Sequence, residues 1–282
     1  MARFPRIPDL LTTANLACGV GSILLASQGQ LTLACWLVFA GAFFDVLDGL
    51  AARALGGGTP LGAQLDSLAD MVTFGVAPGM LVYFMPLTNP SSILVEGGSF
   101  YLSDIHIAAE QFEGGFAQRQ QHHAFMWIVA ILIPIFSAWR LAKFNLDTRQ
   151  SAGFLGLPTP ANALFWASIP LVILGHTHGM VDISRWVNSG IPTSGLLALI
   201  CLTDPLFYLV VSVLLGGLML SEIPLPSLKF KHFKWKGNEV MFLLLGVGVV
   251  LVVLYGILAV PLILLLYLLS PLWGKLFPKE PA

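Results

Sequence analysis

Charge is what this chain has least of. Asp, Glu, Lys and Arg make up only 10% of its 282 residues, against roughly 25% in an ordinary soluble domain. So few ionic side chains cannot cover a water-facing surface of the usual kind. The two signs nearly cancel, 14 basic against 15 acidic, for a formal net charge of −1. That balance excludes a strongly basic nucleic-acid binder and a polyacidic chain. Cysteine is scarce as well. Cys18, Cys35 and Cys201 are the 3 present, too few and too scattered for a disulfide framework or a zinc cluster. There is no internal repeat and no low-complexity tract, which weighs against an inverted-repeat transporter.

Apolar residue types fill the space that charge leaves, at 56% of the chain and a mean hydropathy of +0.83. This composition describes an all-α, polytopic integral membrane protein. A bilayer core about 30 Å thick needs ~20 apolar residues in helical form. Runs of that kind fall near 10–28, 31–53, 66–85, 124–145, 159–175, 203–221, 239–256 and 258–274. The last two form one apolar run, and Gly256 and Pro261 inside it predict a turn between two short helices. Thr12, Thr13, Asn15 and Gly19 interrupt the first apolar stretch, so it reads as a span rather than a cleaved signal peptide.

Basic residues set the orientation. With eight spans and a cytoplasmic N-terminus, the inner side collects Arg3, Arg6, Arg53, Arg140, Lys143, Arg149, Lys229, Lys231, Lys234, Lys236, Lys275 and Lys279. Only Arg119 and Arg185 stay outside. Both termini are then cytoplasmic, as in a bacterial-type inner membrane. Residues 86–123 read as a long outer insertion and 176–202 as a second outer segment. The inner loop 224–236 mixes Lys with Phe and Trp, which suits anionic headgroups better than nucleic acid. Trp127, Trp166, Trp186, Trp235 and Trp273 fall near span ends, where interface anchors sit. His122, His123, His176 and His178 read as solvated loop residues on the outer side.

Four acids break the apolar pattern. Asp45 and Asp48 are i, i+3 in the second span; Asp66 and Asp70 are i, i+4 at the start of the third. Each pair lies on one helical face. An intramembrane carboxylate costs at least ~2.5–3.5 kcal/mol, so four together demand a reason. If these spans are antiparallel, all four converge at the cytoplasmic rim of the membrane. Either some are protonated, or hard divalent cations hold them together, and oxygen-only ligands favour Mg²⁺, Mn²⁺ or Ca²⁺ over zinc. Gly49 permits close approach to the pair. Arg53 adds a fixed positive charge suited to phosphate. Gly56 through Pro60 breaks the helix beside the site. Carboxylates, a divalent cation and an arginine beside lipid fit a phosphorylated, lipid-bearing substrate. An ion path through a cation transporter, or a packing network of buried ion pairs, would also use intramembrane acids.

Asp45-Val-Leu-Asp48-Gly49-Leu-Ala-Ala52-Arg53, an eight-residue gap, then Gly62-Ala-Gln-Leu-Asp66-Ser-Leu-Ala-Asp70 resembles the CDP-alcohol phosphotransferase signature at every specified position. Pro8 through Gly19, Arg140 through Asn145, Phe154 through Pro160 and Ser221 through Lys229 are similar to the branch of that family that accepts L-serine. The resemblance spans most of residues 8–230 and leaves 231–282 as an added C-terminal helix pair. Lys143 and Asp9 stand where the branch has Arg and Asn.

The resemblance implies transfer of the phosphatidyl group of CDP-diacylglycerol to the serine hydroxyl, with release of CMP. It implies Mg²⁺ or Mn²⁺ held by Asp45, Asp48, Asp66 and Asp70, with Asp70 also the general base. Gly49, Ala52, Arg53 and Gly62, with Asp48 and Asp66, would line the CDP-diacylglycerol pocket. It further implies a homodimer among membrane lipids. Thr12 and Asn15 reach either the nucleotide or neighbouring helices. Arg140 is the candidate for the serine carboxylate and Asn145 for its ammonium or the phosphate, although Arg140, Lys143 and Arg149 also serve as topology charges. A sister enzyme acting on glycerol phosphate or inositol phosphate keeps the same aspartates with a different acceptor.

Overall fold

The computed structural model describes residues 6–57, 59–85, 116–146, 154–177, 205–225 and 239–273. Among the described residues, four helices are long and apolar enough to cross a membrane: Ile7–Ser27, Leu31–Ala54, Pro60–Phe84 and Met126–Leu146. Leu206–Leu220, Phe242–Tyr255 and Ala259–Ser270 are shorter apolar helices. The described residues are all-helical apart from one short ladder, and the protein is an integral membrane protein. Leu10, Leu24, Trp36, Phe43, Val46 and Leu50 stay exposed along the first two helices, as an apolar solvent requires.

Helix α1 (Ile7–Ser27) opens where the Arg6 backbone N–H donates to Asp9 Oδ2 at 2.9 Å, a carboxylate at the positive end of the helix. It packs along α2 (Leu31–Ala54). Past α2, Gly56 and Gly57 take φ of +87° and +108°, a left-handed region that side chains with a Cβ avoid. Thr59 then caps α3 (Pro60–Asp70), accepting from the Gly62 N–H at 2.9 Å, with Pro60 in the first turn, where its missing N–H costs nothing.

The third span is not uniform. A π turn over Met71–Val76 joins α3 to α4 (Ala77–Phe84). Pro78 supplies no N–H to the carbonyl four residues back, so the ladder must widen there. The π turn directly follows Asp70, the last residue of α3.

Helix α5 (Phe116–Leu146) crosses α4 and the π turn through small residues. A Cβ on Gly79 would stand 2.5 Å from the Ala130 carbonyl oxygen, and Gly75 faces Ser137. The helix begins within the predicted outer insertion, so His122 and His123 are helical rather than loop residues; Ala, Gln and Arg in this stretch are good helix formers. His176 likewise lies inside α6 (Thr159–Thr177). The rest of the insertion, residues 86–115, and most of the second outer segment, residues 178–204, lie outside the described residues, as do His178, Trp186, Trp235 and most of the basic inner loop.

Helix α7 (Pro205–Leu220) lies against α5. The strands β1 (Phe154–Leu155) and β2 (Pro224–Leu225) pair antiparallel, which ties the loop before α6 to the segment after α7. Helices α8 (Glu239–Tyr255) and α9 (Ala259–Trp273) pack on each other, with Gly256–Leu258 turning between them as the sequence predicts. Helix α9 also lies on α6 and β2.

The interior has two apolar clusters. One joins Ala26, Ala34, Val38, Phe74, Leu81 and Ala167 from α1, α2, the π turn, α4 and α6. The other joins Ile133, Leu157, Trp166, Tyr208, Met219 and Tyr267. Trp166 is therefore no interface anchor. It is fully buried, its ring stacks on Tyr208, and its Nε1–H donates to Asn162 Oδ1 at 3.1 Å, which satisfies its one polar group inside the core. Trp127 remains half exposed.

Candidate active site and metal centre

The C-terminal half of α2 presents Asp45 and Asp48 on one face, and α3 presents Asp66 and Asp70. Packing brings ligand oxygens of Asp45, Asp48 and Asp66 within 4.8 Å of one another. Asp70 stands outside that trio but within electrostatic reach of all three. The four carboxylates of the sequence reading therefore converge, three as a cradle and one beside it.

Two α1 side chains hold the cluster from behind. Thr12 Oγ1 donates to Asp48 Oδ2 at 2.8 Å, and Asn15 Nδ2 donates to Asp70 Oδ1 at 3.2 Å. Thr12, Asn15, Asp48 and Asp70 are all buried. Of the two roles left open for Thr12 and Asn15, these are contacts to neighbouring helices, and their partners are the aspartates themselves.

Thr73, in the π turn, completes the support. Its hydroxyl donates to the Asn15 carbonyl oxygen at 2.9 Å. It nests between Gly19 on α1 and Gly41 on α2, where any Cβ would collide with it. The sequence reading missed Thr73. It follows Asp66 and Asp70 at i+7 and i+3, so the same-face rule that paired the aspartates also points to it.

A divalent cation fits this donor set. Asp66 Oδ1 is buried and has no hydrogen-bond partner among the described residues, an expensive condition for a carboxylate oxygen unless a cation takes it. The cradle offers oxygen alone, as hard cations prefer.

Around the cradle, the space over Gly49 is open to at least 4 Å, so a substrate can approach the backbone beside Asp48. Ala52 is partly buried and Arg53 is exposed one turn further on. Gly62 has a packing reason as well. A Cβ there would stand 2.8 Å from Asp9 Oδ1 and 3.1 Å from Thr59 Oγ1, so the start of α3 can lie this close to α1 only with glycine.

Helix α5 closes the site on the far side. Arg140 is only 6% exposed, unlike an ordinary topology charge. Its guanidinium sits 4.8 Å above the Phe144 ring, and its charge is within reach of Asp70 and Tyr267. Asn145 Nδ2 donates to Ser67 Oγ at 2.9 Å, which ties the end of α5 to the residue after Asp66. Lys143 points instead toward α7, donating to the Leu220 carbonyl oxygen at 3.1 Å and pairing with Glu222 at 3.6 Å.

An oxygen cradle for a hard cation at the buried junction of membrane helices, flanked by a buried arginine, defines an integral membrane enzyme that handles a phosphate-bearing substrate. Residues 6–200 match the model of the CDP-alcohol phosphatidyltransferase family, and the chain belongs to that family. A Helicobacter pylori protein named CDP-diacylglycerol–serine O-phosphatidyltransferase is 31% identical over 272 residues, covering 96% of this chain and 91% of the relative. A Bacillus subtilis protein of the same name is 31% identical over 175 residues, covering 62% of this chain and 78% of the relative. An archaetidylserine synthase of Methanothermobacter thermautotrophicus is 33% identical over 170 residues, 60% of this chain and 59% of the relative.

Proposed function

We propose that this protein transfers the phosphatidyl group of CDP-diacylglycerol to the hydroxyl of L-serine, forming phosphatidylserine and CMP. The observation that carries the reading is the convergence of Asp45, Asp48 and Asp66 beside an Asp70 that Asn15 holds and that lies within electrostatic reach of Arg140. The names of relatives aligned along most of the chain support serine as the acceptor.

Asp45, Asp48 and Asp66 would hold Mg²⁺ or Mn²⁺, with Asp70 completing the acidic set. Held there, the ion would supply positive charge to offset the negative charge on the diphosphate and on departing CMP. Asp70 is the general base: it takes the serine hydroxyl proton as that oxygen attacks phosphorus and the bond to CMP breaks. Burial of Asp70 and its fixed hydrogen bond keep the carboxylate aimed. The nucleotide approaches over Gly49 and Ala52, with Arg53 at the aqueous edge for its phosphates and Gly62 and Thr12 bordering the pocket. Arg140 receives the serine carboxylate, and Asn145 borders the acceptor from its position on Ser67.

The same reading carries eight spans, with both termini and the aspartates on the cytoplasmic side. The distribution of Lys and Arg along the sequence supports it. Residues 1–230 form the catalytic unit and 231–282 an added helix pair. A homodimer belongs to the reading too, and crosslinking in native membranes tests it.

The deciding experiment is CMP release by purified protein in detergent, with Mn²⁺ or Mg²⁺ and CDP-diacylglycerol. L-serine, glycerol 3-phosphate and inositol phosphate are added separately. Metal-dependent release with serine alone is the expected result. Release with another alcohol keeps the aspartate chemistry and overturns the acceptor. No release with any of them overturns the enzyme reading.

A further inference from the structure

Helix α9 lies on α6 and on strand β2, and it turns one face inward. Leu264, Tyr267 and Ser270 are buried at i, i+3 and i+6, whereas Leu265 and Leu269 stay exposed. That spacing keeps the buried three on one side of the helix. Tyr267 is only 3% exposed and sits in the middle of an apolar stretch, away from the helix ends where interfacial tyrosines gather. A phenol hydroxyl buried there calls for a polar neighbour.

The fold brings Arg140 to the same place. Tyr267 packs in one cluster with Leu157, Met219 and Leu225. Arg140, Leu155 and Met219 border one small cavity. Leu155 belongs to β1, which pairs with the β2 on which α9 lies. Arg140 and Tyr267 thus approach Met219 and the strand pair from two different helices, and each is within electrostatic reach of the other.

A guanidinium as deeply buried as that of Arg140 has lost its water, and groups fixed around it must offset the loss. The Phe144 ring, one turn along the same helix, covers one face of it at 4.8 Å. A ring on the face leaves the N–H edges to partners in the guanidinium plane. A hydroxyl oxygen accepts from such an edge without bringing negative charge, so the cation stays available to an incoming carboxylate. A carboxylate in that position would compete with the substrate for it.

We infer that Tyr267 is a positioning residue for Arg140, its hydroxyl holding the guanidinium in the orientation that receives the acceptor's carboxylate. Helix α9 is then part of the acceptor side of the site. This inference rests on the serine-transfer reading above and names what keeps the carboxylate-binding group in place.

The test is Tyr267→Phe, which keeps the ring in the core and removes the hydroxyl. CMP release by purified protein in detergent is measured against L-serine at saturating CDP-diacylglycerol, and against CDP-diacylglycerol at saturating serine. The expected result is a serine KM raised about three- to tenfold. The CDP-diacylglycerol KM and the thermal unfolding midpoint should stay nearly unchanged. Phe144→Leu loosens the same guanidinium from its own helix. Because both variants act on one group, the serine KM of the double variant should differ from the product of the single effects by about twofold or more. Effects that simply multiply overturn the assignment, and so does an unchanged serine KM in Tyr267→Phe. A merely structural role would move both KM values and lower the unfolding midpoint, which also overturns it. If instead wild-type protein releases no CMP with serine, the transfer reading itself has failed, so the two failures remain distinct.

Discussion

The side-chain amide of Asn15, in the middle of the first helix, donates to Asp70 on the third at 3.2 Å, with both groups buried. The two residues are 55 positions apart in the chain, and their meeting joins α1 to the proposed base. Hydrogen bonds to a charged group contribute about 1.5–3 kcal/mol. Asn15→Ala is therefore expected to lower kcat by about 10–100-fold. The KM for CDP-diacylglycerol should move much less. A KM effect as large as the kcat effect would mean that Asn15 contacts the nucleotide rather than aiming Asp70.

The aspartates divide into a cradle and a neighbour, and substitution should separate them. Asp70→Asn is expected to abolish turnover while CDP-diacylglycerol binding stays measurable. Asp48→Asn should weaken binding and shift the metal titration to higher concentration together, because it removes one charge from the donor set. Metal titrations of CMP release and of CDP-diacylglycerol binding check both. A titration unchanged in Asp48→Asn would remove Asp48 from the cradle.

Gly41 lets α1, α2 and the π turn meet. A Cβ there would stand 2.5 Å from Thr73 Cγ2 and 3.0 Å from Asn15 Oδ1. Gly41→Ala should destabilise the protein by about 1–3 kcal/mol, the usual cost of overpacking. It should also lower activity, since Asn15 must move. Adding Thr73→Ser removes the colliding methyl and keeps the hydroxyl that donates to Asn15. Thermal unfolding in detergent should show the double variant recovering part of the lost stability, and no recovery would place the strain elsewhere.

Gly156 has φ of +73°, and a Cβ would meet the carbonyl oxygens of Ser221, Met219 and Leu218 at 2.6, 2.7 and 3.0 Å. The left-handed conformation alone costs a Cβ-bearing residue about 1–2 kcal/mol, and three carbonyls cannot easily withdraw from a helix end. Gly156→Ala should push β1 away from the end of α7, to which Lys143 of α5 is tied, and raise the serine KM more than the CDP-diacylglycerol KM. Comparing the two KM values checks this. Equal effects would show that the strand pair supports the whole site rather than the acceptor side.

How far this site can be read without coordinates differs from residue to residue. Asp45 and Asp48, and Asp66 and Asp70, announce themselves because a carboxylate in an apolar run is costly, and because i, i+3 and i, i+4 spacing puts each pair on one helix face. Gly56 through Thr59 marks the helix break for equally local reasons. Thr73 stayed hidden although its spacing was suggestive, because threonine inside an apolar helix usually bonds its own backbone. Trp166 misled for a related reason. Position near a span end suggests an anchor, and only the presence of Tyr208 and Asn162 around it makes it core.

Taken alone, the sequence determined that the protein is helical and membrane-embedded, that four acids cluster where two of its helices meet, and which family's spacing they follow. These properties depend on composition and on the 3.6-residue period, both local to the chain. Tertiary structure decided which three carboxylates form the cradle and which one is held apart by Asn15. It also decided that Arg140 is buried within electrostatic reach of Asp70 while Lys143, one turn away, turns outward to Glu222. Each of these outcomes depends on contacts between different elements of the fold, such as Asn15 with Asp70, 55 positions apart, and Lys143 with Leu220, 77 apart. Helix packing alone sets such distances, because no local rule in the sequence relates one helix face to another that distant in the chain.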